Sequence, residues 1–142
     1  MNDKIFLRIA SGLLIFHLAG HSIGNATWDQ TDDPIKQNVI QEMTGHQFPF
    51  MGTNRSMGEY FYGYGLITSV ALVVFAAYLI FLSFSLDENR NLIKKLIWVT
   101  TLGLLGISSI EFIYFFPLAA GTTLLASLFS MMAAISMSKK KQ

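Results

Sequence analysis

Two histidines, His17 and His21, stand one helical turn apart inside "FHLAGHSIGNATW", a stretch otherwise apolar enough to belong to a membrane span. At i and i+4 the two imidazoles share one side of a helix. Three kinds of chemistry suit such a pair. As nitrogen ligands they have the spacing of helical zinc sites of the H-E-x-x-H kind, although the intervening glutamate is missing and Glu111 or Glu59 would have to supply oxygen. Together with Glu111 they could move protons, as in acid/base isomerisation, or grip the polar end of an amphipathic ligand. Fully hydrogen-bonded, they would instead hold neighbouring helices in register. His17, His21 and Glu111 are therefore the candidate catalytic residues and also the candidate ligands of a metal ion, the one cofactor the pattern suggests.

Glu111 lies deep in a second apolar run. A carboxylate there costs several kcal/mol unless it is paired, hydrated or protonated, which makes it a functional candidate by default. Around these three, Asn25 and Trp28 follow His17 and His21 at offsets of three and four, with Gly20 and Gly24 between them as a G-x-x-x-G pair that invites close helix packing. A corresponding face of the later run holds Gly103, Ile107, Glu111 and Tyr114, and the last run offers Thr123, Ser127, Ser130 and Ala134. "RSMGEYFYGYG" adds Arg55, Glu59 and Tyr62, with Gly63 and Gly65 permitting close approach. The ligand-binding set expected from this pattern is His17, His21, Asn25, Trp28, Arg55, Glu59, Tyr62, Glu111 and Tyr114.

The elements that must position these groups are spans. Of 142 residues, 52% are hydrophobic and 13% charged, too apolar for a soluble domain of this size. Four segments, Ile5 to Thr27, Tyr60 to Phe84, Ile93 to Phe116 and Leu118 to Met137, are each long enough to cross about 30 Å of hydrocarbon as a helix. Residues 5–27 also resemble a secretory signal peptide in outline, but the run passes well beyond a typical h-region. The reading is a single domain, an all-α, membrane-embedded antiparallel four-helix bundle.

Charge distribution sets its expected orientation. Lys4, Arg8, Arg90, Lys94, Lys95 and Lys139 to Lys141 flank the termini and the second loop, whereas the outer connections carry only Lys36 and Arg55. By the positive-inside rule both termini are cytoplasmic in the cell membrane, and residues 28–59 form an outer loop. At about 1.5 Å per residue His17, His21 and Glu111 then reach the outer half of the bundle, near Glu59. Within the loop, "TDDPIKQNVIQEM" has an acidic start, Pro34 in the first turn and Ile35, Val39, Ile40 and Met43 on one side. It predicts an amphipathic helix ended by Gly45. The following "HQFPFMGTNRSMGEYFYGYG" reads as an irregular, aromatic entry to the second span, and "SKKKQ" as a solvated anchor.

Several classes are excluded. With no cysteine there is no disulfide, thiolate site or cysteine nucleophile. Basic residues beside spans form no recognition patch, so nucleic acid is not a partner. The expected partners are the lipid bilayer, a small amphipathic ligand, and further copies or other subunits of a membrane complex. "HLAGHSIG", of the form HxxGHxxG, and "RSMGEYFYGYGL", close to RSxxEFYxGxGL, resemble motifs of a group of small bacterial four-span integral membrane proteins. That resemblance implies the four-span fold and assigns no activity. The architecture is also similar in outline to the sterol-isomerase and sigma-2-receptor group. Ligand binding is the leading functional expectation, a membrane enzyme using His17, His21 and Glu111 the second, and an accessory subunit the third.

Overall fold

Helix starts are written locally and strongly in this chain. Asp33 caps the loop helix, its carboxylate accepting from the Ile35 and Lys36 amides, with Pro34 directly after it. Ser56 and Glu59 form a reciprocal capping box: the Ser56 amide donates to Glu59 Oε2 at 2.7 Å and the Glu59 amide to Ser56 Oγ at 3.1 Å. Asn89 accepts from the Leu92 amide, and Pro117 opens the final helix without an N–H to strand. The computed structural model describes residues 2–139. The resulting order is α1 (Asn2–Ala26), α2 (Pro34–Gly45), β1 (Gln47–Phe50), β2 (Thr53–Ser56), α3 (Met57–Phe84), α4 (Arg90–Tyr114) and α5 (Pro117–Lys139). The fold is all-α, and α1, α3, α4 and α5 are long and apolar enough to cross a membrane. The side chains of the expected lysine anchor, Lys139 to Lys141, lie outside the described residues.

The chain forms two compact units, the first built from residues 1–19 and 71–142, the second from 20–70. In the first unit four helices share one core, with Leu7, Ala10 and Leu14 from α1, Leu72, Ala76 and Leu79 from α3, Ile93, Ile97 and Leu104 from α4, and Ala126, Ala133 and Ala134 from α5. Cross-helix hydrogen bonds fix their directions. Ser11 reaches the Ala76 carbonyl, Arg8 reaches Ser83, and Lys4 reaches Asp87, so α1 and α3 run in opposite directions. Ser108 donates to the Ala120 carbonyl and Ser127 to the Thr101 carbonyl, which makes α4 and α5 antiparallel across their two-residue link. His17 meets Glu111 and Asp3 meets Arg90, so partners rise together along both helices and α1 and α4 run parallel. The directions therefore alternate along the chain.

Small residues carry the packing of α5. Ala119, Ala120, Thr123, Ala126, Ser127, Ser130, Ala133 and Ala134 are buried at offsets of three and four. Half of its span is buried, against 22–33% for the other three helices. Buried serine hydroxyls donate to backbone carbonyls of a neighbouring helix, each bond worth about 0.6 kcal/mol in a bilayer. Large apolar side chains point the other way. Val73, Val74, Phe81, Val99, Leu102 and Leu125 are exposed, a polarity that suits lipid and would penalise contact with water.

Two packing expectations are corrected. Gly20 and Gly24 are exposed, and a Cβ at either would meet nothing within 4 Å, so the G-x-x-x-G pair is not a packing seam of this chain. On α4, Gly103 and Tyr114 likewise fall outside the buried face. That face runs through Ile97, Thr100, Thr101, Leu104, Ser108 and Glu111.

The second unit corrects the irregular stretch. Residues 47–56 form a hairpin, with Gln47 opposite Ser56 and Phe50 opposite Thr53, closed by Met51 and Gly52 at φ +47° and +86°. Both turn residues are left-handed, as two-residue hairpins with the twist of flanking strands require. Pro49 is tolerated because it pairs with Asn54 one step from the closing pair, in a non-hydrogen-bonded position where no ladder donor is lost. The loop helix α2 is present as expected, yet its end is not a left-handed glycine cap: Gly45 is the last helical residue and His46 turns directly into extended backbone. None of the α2 side chains is buried, and Ile35 is 75% exposed.

Candidate functional site

The candidate residues fall into one group in each unit. In the first, α1 and α4 bring His17 and Glu111 together, each 8% exposed, with His17 Nε2 3.7 Å from Glu111 Oε1. That is an ion-pair distance and longer than a hydrogen bond. The other ring nitrogen, Nδ1, lies 2.9 Å from Thr123 Oγ1 on α5. One imidazole thus links three helices. A single proton shared between ring and carboxyl leaves the pair neutral overall, the state that a low-dielectric interior favours over a lone charge.

In the second unit His21 Nε2 is 2.9 Å from the Gly65 carbonyl, which also accepts from Ser69 Oγ. A carbonyl can only accept, so the proton of His21 sits on Nε2. Gly65 is required here: a Cβ at this position would overlap the Asn25 side chain. Gly63, one turn face away, has open space, so only the second of the two glycines serves close approach. Gly58 plays the same part at the start of α3, where a Cβ would come 2.7 Å from Thr44 Cγ2 and 3.1 Å from Trp28 Cη2.

These close approaches frame a cleft of about 440 Å³ that belongs wholly to the second unit. Four of the expected ligand residues line it, Asn25, Trp28, Glu59 and Tyr62, joined by Asp29 and Ser56. Trp28 is steadied by Phe61, ring centroids 5.0 Å apart and planes tilted by 49°. Asn25 is 9% exposed, and its side chain has no hydrogen-bond partner among the described residues. Glu59 is partly committed, because Oε2 serves the capping box while Oε1 stands 4.0 Å from Arg55 Nη1. Arg55 itself is outside the lining and donates to the Asn54 carbonyl. Tyr114 ends α4 at 76% exposed.

Among the described residues, no three His, Asp or Glu side chains gather as a metal-binding set. His17 and His21 instead direct ring nitrogens at Thr123, Glu111 and the Gly65 carbonyl.

One polar group escaped the sequence reading. Asp3, 2% exposed, accepts from Arg90 at 3.1 Å through Oδ2 and from Ser136 at 2.8 Å through Oδ1. Arg90 also donates to the Met137 carbonyl, an otherwise open acceptor in the last turns of α5. Arg90 had been legible only as a topology signal, since nothing in its spacing ties it to a residue 87 positions earlier. Searches against family models, curated proteins and solved structures return no match to this chain.

Proposed function

We propose that this chain is a multi-pass cell-membrane protein, both termini cytoplasmic, which binds a small amphipathic or lipid-like molecule in the cleft of its second unit. The observation that carries the reading is Asn25. The residue is nine-tenths buried, its amide makes no hydrogen bond to the described residues, and its polar atoms keep access to the cleft it lines, where a guest could take up that hydrogen-bonding capacity. Aromatic walls beside a few polar groups are the usual make-up of a small-molecule site, and the volume falls within the range of such sites. The exposed apolar side chains of the four long helices support the membrane setting, and the lysines and arginines flanking them support the orientation.

For His17, Glu111 and Thr123 we propose the register role over catalysis, because both imidazole nitrogens face protein groups on neighbouring helices. The motif resemblance fits this division. In "RSMGEYFYGYGL" the serine, glutamate and second glycine of the G-Y-G are the residues that cap α3 and admit Asn25. Bacterial four-span proteins sharing the two motifs would share this loop unit.

The test is mass spectrometry of small molecules that co-purify with the protein in mild detergent, wild type beside Asn25→Leu. A molecule retained by the first and lost from the second is the expected result. Equal retention, or nothing retained by either, removes the binding reading. Orientation is checked in the cysteine-free background with single cysteines at Gln37 and Glu88, labelled from outside and inside respectively.

A further inference from the structure

We infer that the polar end of the guest is an organic ammonium ion, a conclusion that rests on the binding reading above and adds its charge class. Among the described residues, every charged side chain lining the cleft is acidic: Asp29 and Glu59 are there, and no lysine, arginine or histidine is. Arg55 approaches Glu59 from outside the lining and softens that one carboxylate, which leaves Asp29 as the principal negative charge. An anionic headgroup would meet only like charge inside.

A hard metal cation fits poorly. Glu59 Oε2 is held by the Ser56 amide, and among the described residues no third carboxylate or imidazole completes a set. What the cleft offers in place of more oxygen ligands is aromatic surface. Trp28, braced by Phe61 and by the close approach at Gly58, and Tyr62 line the cleft together with the carboxylates. Aromatic faces with a nearby carboxylate attract alkylammonium groups, whose charge is spread over methyl or methylene carbons that also gain from apolar contact. The Asn25 oxygen can accept from an N–H or from a hydroxyl near the ammonium. An ammonium of this kind could be free in solution or be the headgroup of a phospholipid in the same leaflet.

The test uses the full-length protein carrying Trp98→Phe, so that Trp28 is its only tryptophan. In neutral detergent its emission is titrated with choline and with 3,3-dimethylbutan-1-ol, the uncharged isostere. A saturable response to choline at about tenfold lower concentration than to the alcohol supports the proposal. Asp29→Asn, at an exposed position that leaves the fold intact, should reduce that preference about tenfold, and Tyr62→Leu should weaken choline binding where Tyr62→Phe does not. If choline is silent in detergent, the same protein is placed in phosphatidylcholine and in phosphatidylglycerol nanodiscs. An Asp29-dependent emission change confined to phosphatidylcholine supports the class and assigns the source to a lipid headgroup. Equal response to choline and the alcohol, a preference for phosphatidylglycerol, or indifference to Asp29→Asn overturns the ammonium assignment while the Asn25 co-purification result still stands. Silence of every probe together with a negative co-purification result removes both.

Discussion

At the scale of single residues, two positions decide how closely this protein can be tested. Gly65 exists as glycine because Asn25 occupies the space a methyl group would need, whereas nothing crowds Gly63. Gly65→Ala should therefore destabilise by about 2 kcal/mol through overpacking, although alanine is the better helix former. Gly63→Ala should be neutral or slightly stabilising, and thermal melting of the two variants side by side in mild detergent checks the contrast. His17 is the second. Its ring joins α1 to Thr123 and Glu111, so His17→Ala should cost about 2–3 kcal/mol by removing a buried partner from each. Glu111→Gln, which keeps the shape and drops the charge, should cost less in the same melts. The histidines and Glu111 were recognisable in sequence as polar groups needing company. Which company was not: helical spacing gives a face, but the partner at 2.9 Å depends on the relative rotation of helices far apart in the chain.

At the scale of elements, the start of α2 was read from its cap, while the caps of α3 and α4 and the hairpin turn were not. Asp33 followed by Pro34 announced α2, and the S-x-x-E of "SMGE" equally marks the start of α3 three residues before the hydrophobic run that first draws attention. Ser56→Ala should lose about 1 kcal/mol, seen as a lower melting temperature. The hairpin escaped because its signals are weak ones: a methionine stands where asparagine or aspartate usually takes the first left-handed position, and a proline sits in a strand. The methionine pays a steric penalty at φ +47°, so Met51→Gly should stabilise the hairpin by about 1 kcal/mol, detectable as slower proteolysis between β1 and β2. The glycines of α1 misled in the other direction. G-x-x-x-G permits helix contact without demanding it, and here the buried stripe of α1 runs through Leu7, Ala10, Leu14 and His17.

At the scale of the whole molecule, hydropathy alone located the four long helices to within about three residues at each end, since a span must satisfy its backbone internally and so declares its length. It could not show that the polar residues separate into a buried His17–Glu111 pair in one unit and a cleft in the other, because both sets have the same chemistry on paper. Nor could it reveal the Asp3, Arg90 and Ser136 cluster. Arg90→Ala should destabilise by about 3 kcal/mol, at the lower end for a broken buried pair because Arg90 is one-third exposed, and Asp3→Asn should partly rescue it. Melting curves of the single and double variants supply the coupling.

That cluster has a bearing on how the protein comes to be made. Asp3 stands on α1 and Ser136 on α5, the first and last helices described, so synthesis supplies the two sides of the cluster at different times. Only the arrival of α5 lets it close. The cluster is therefore a contact that only the completed fold makes, and it joins the first described helix to the last.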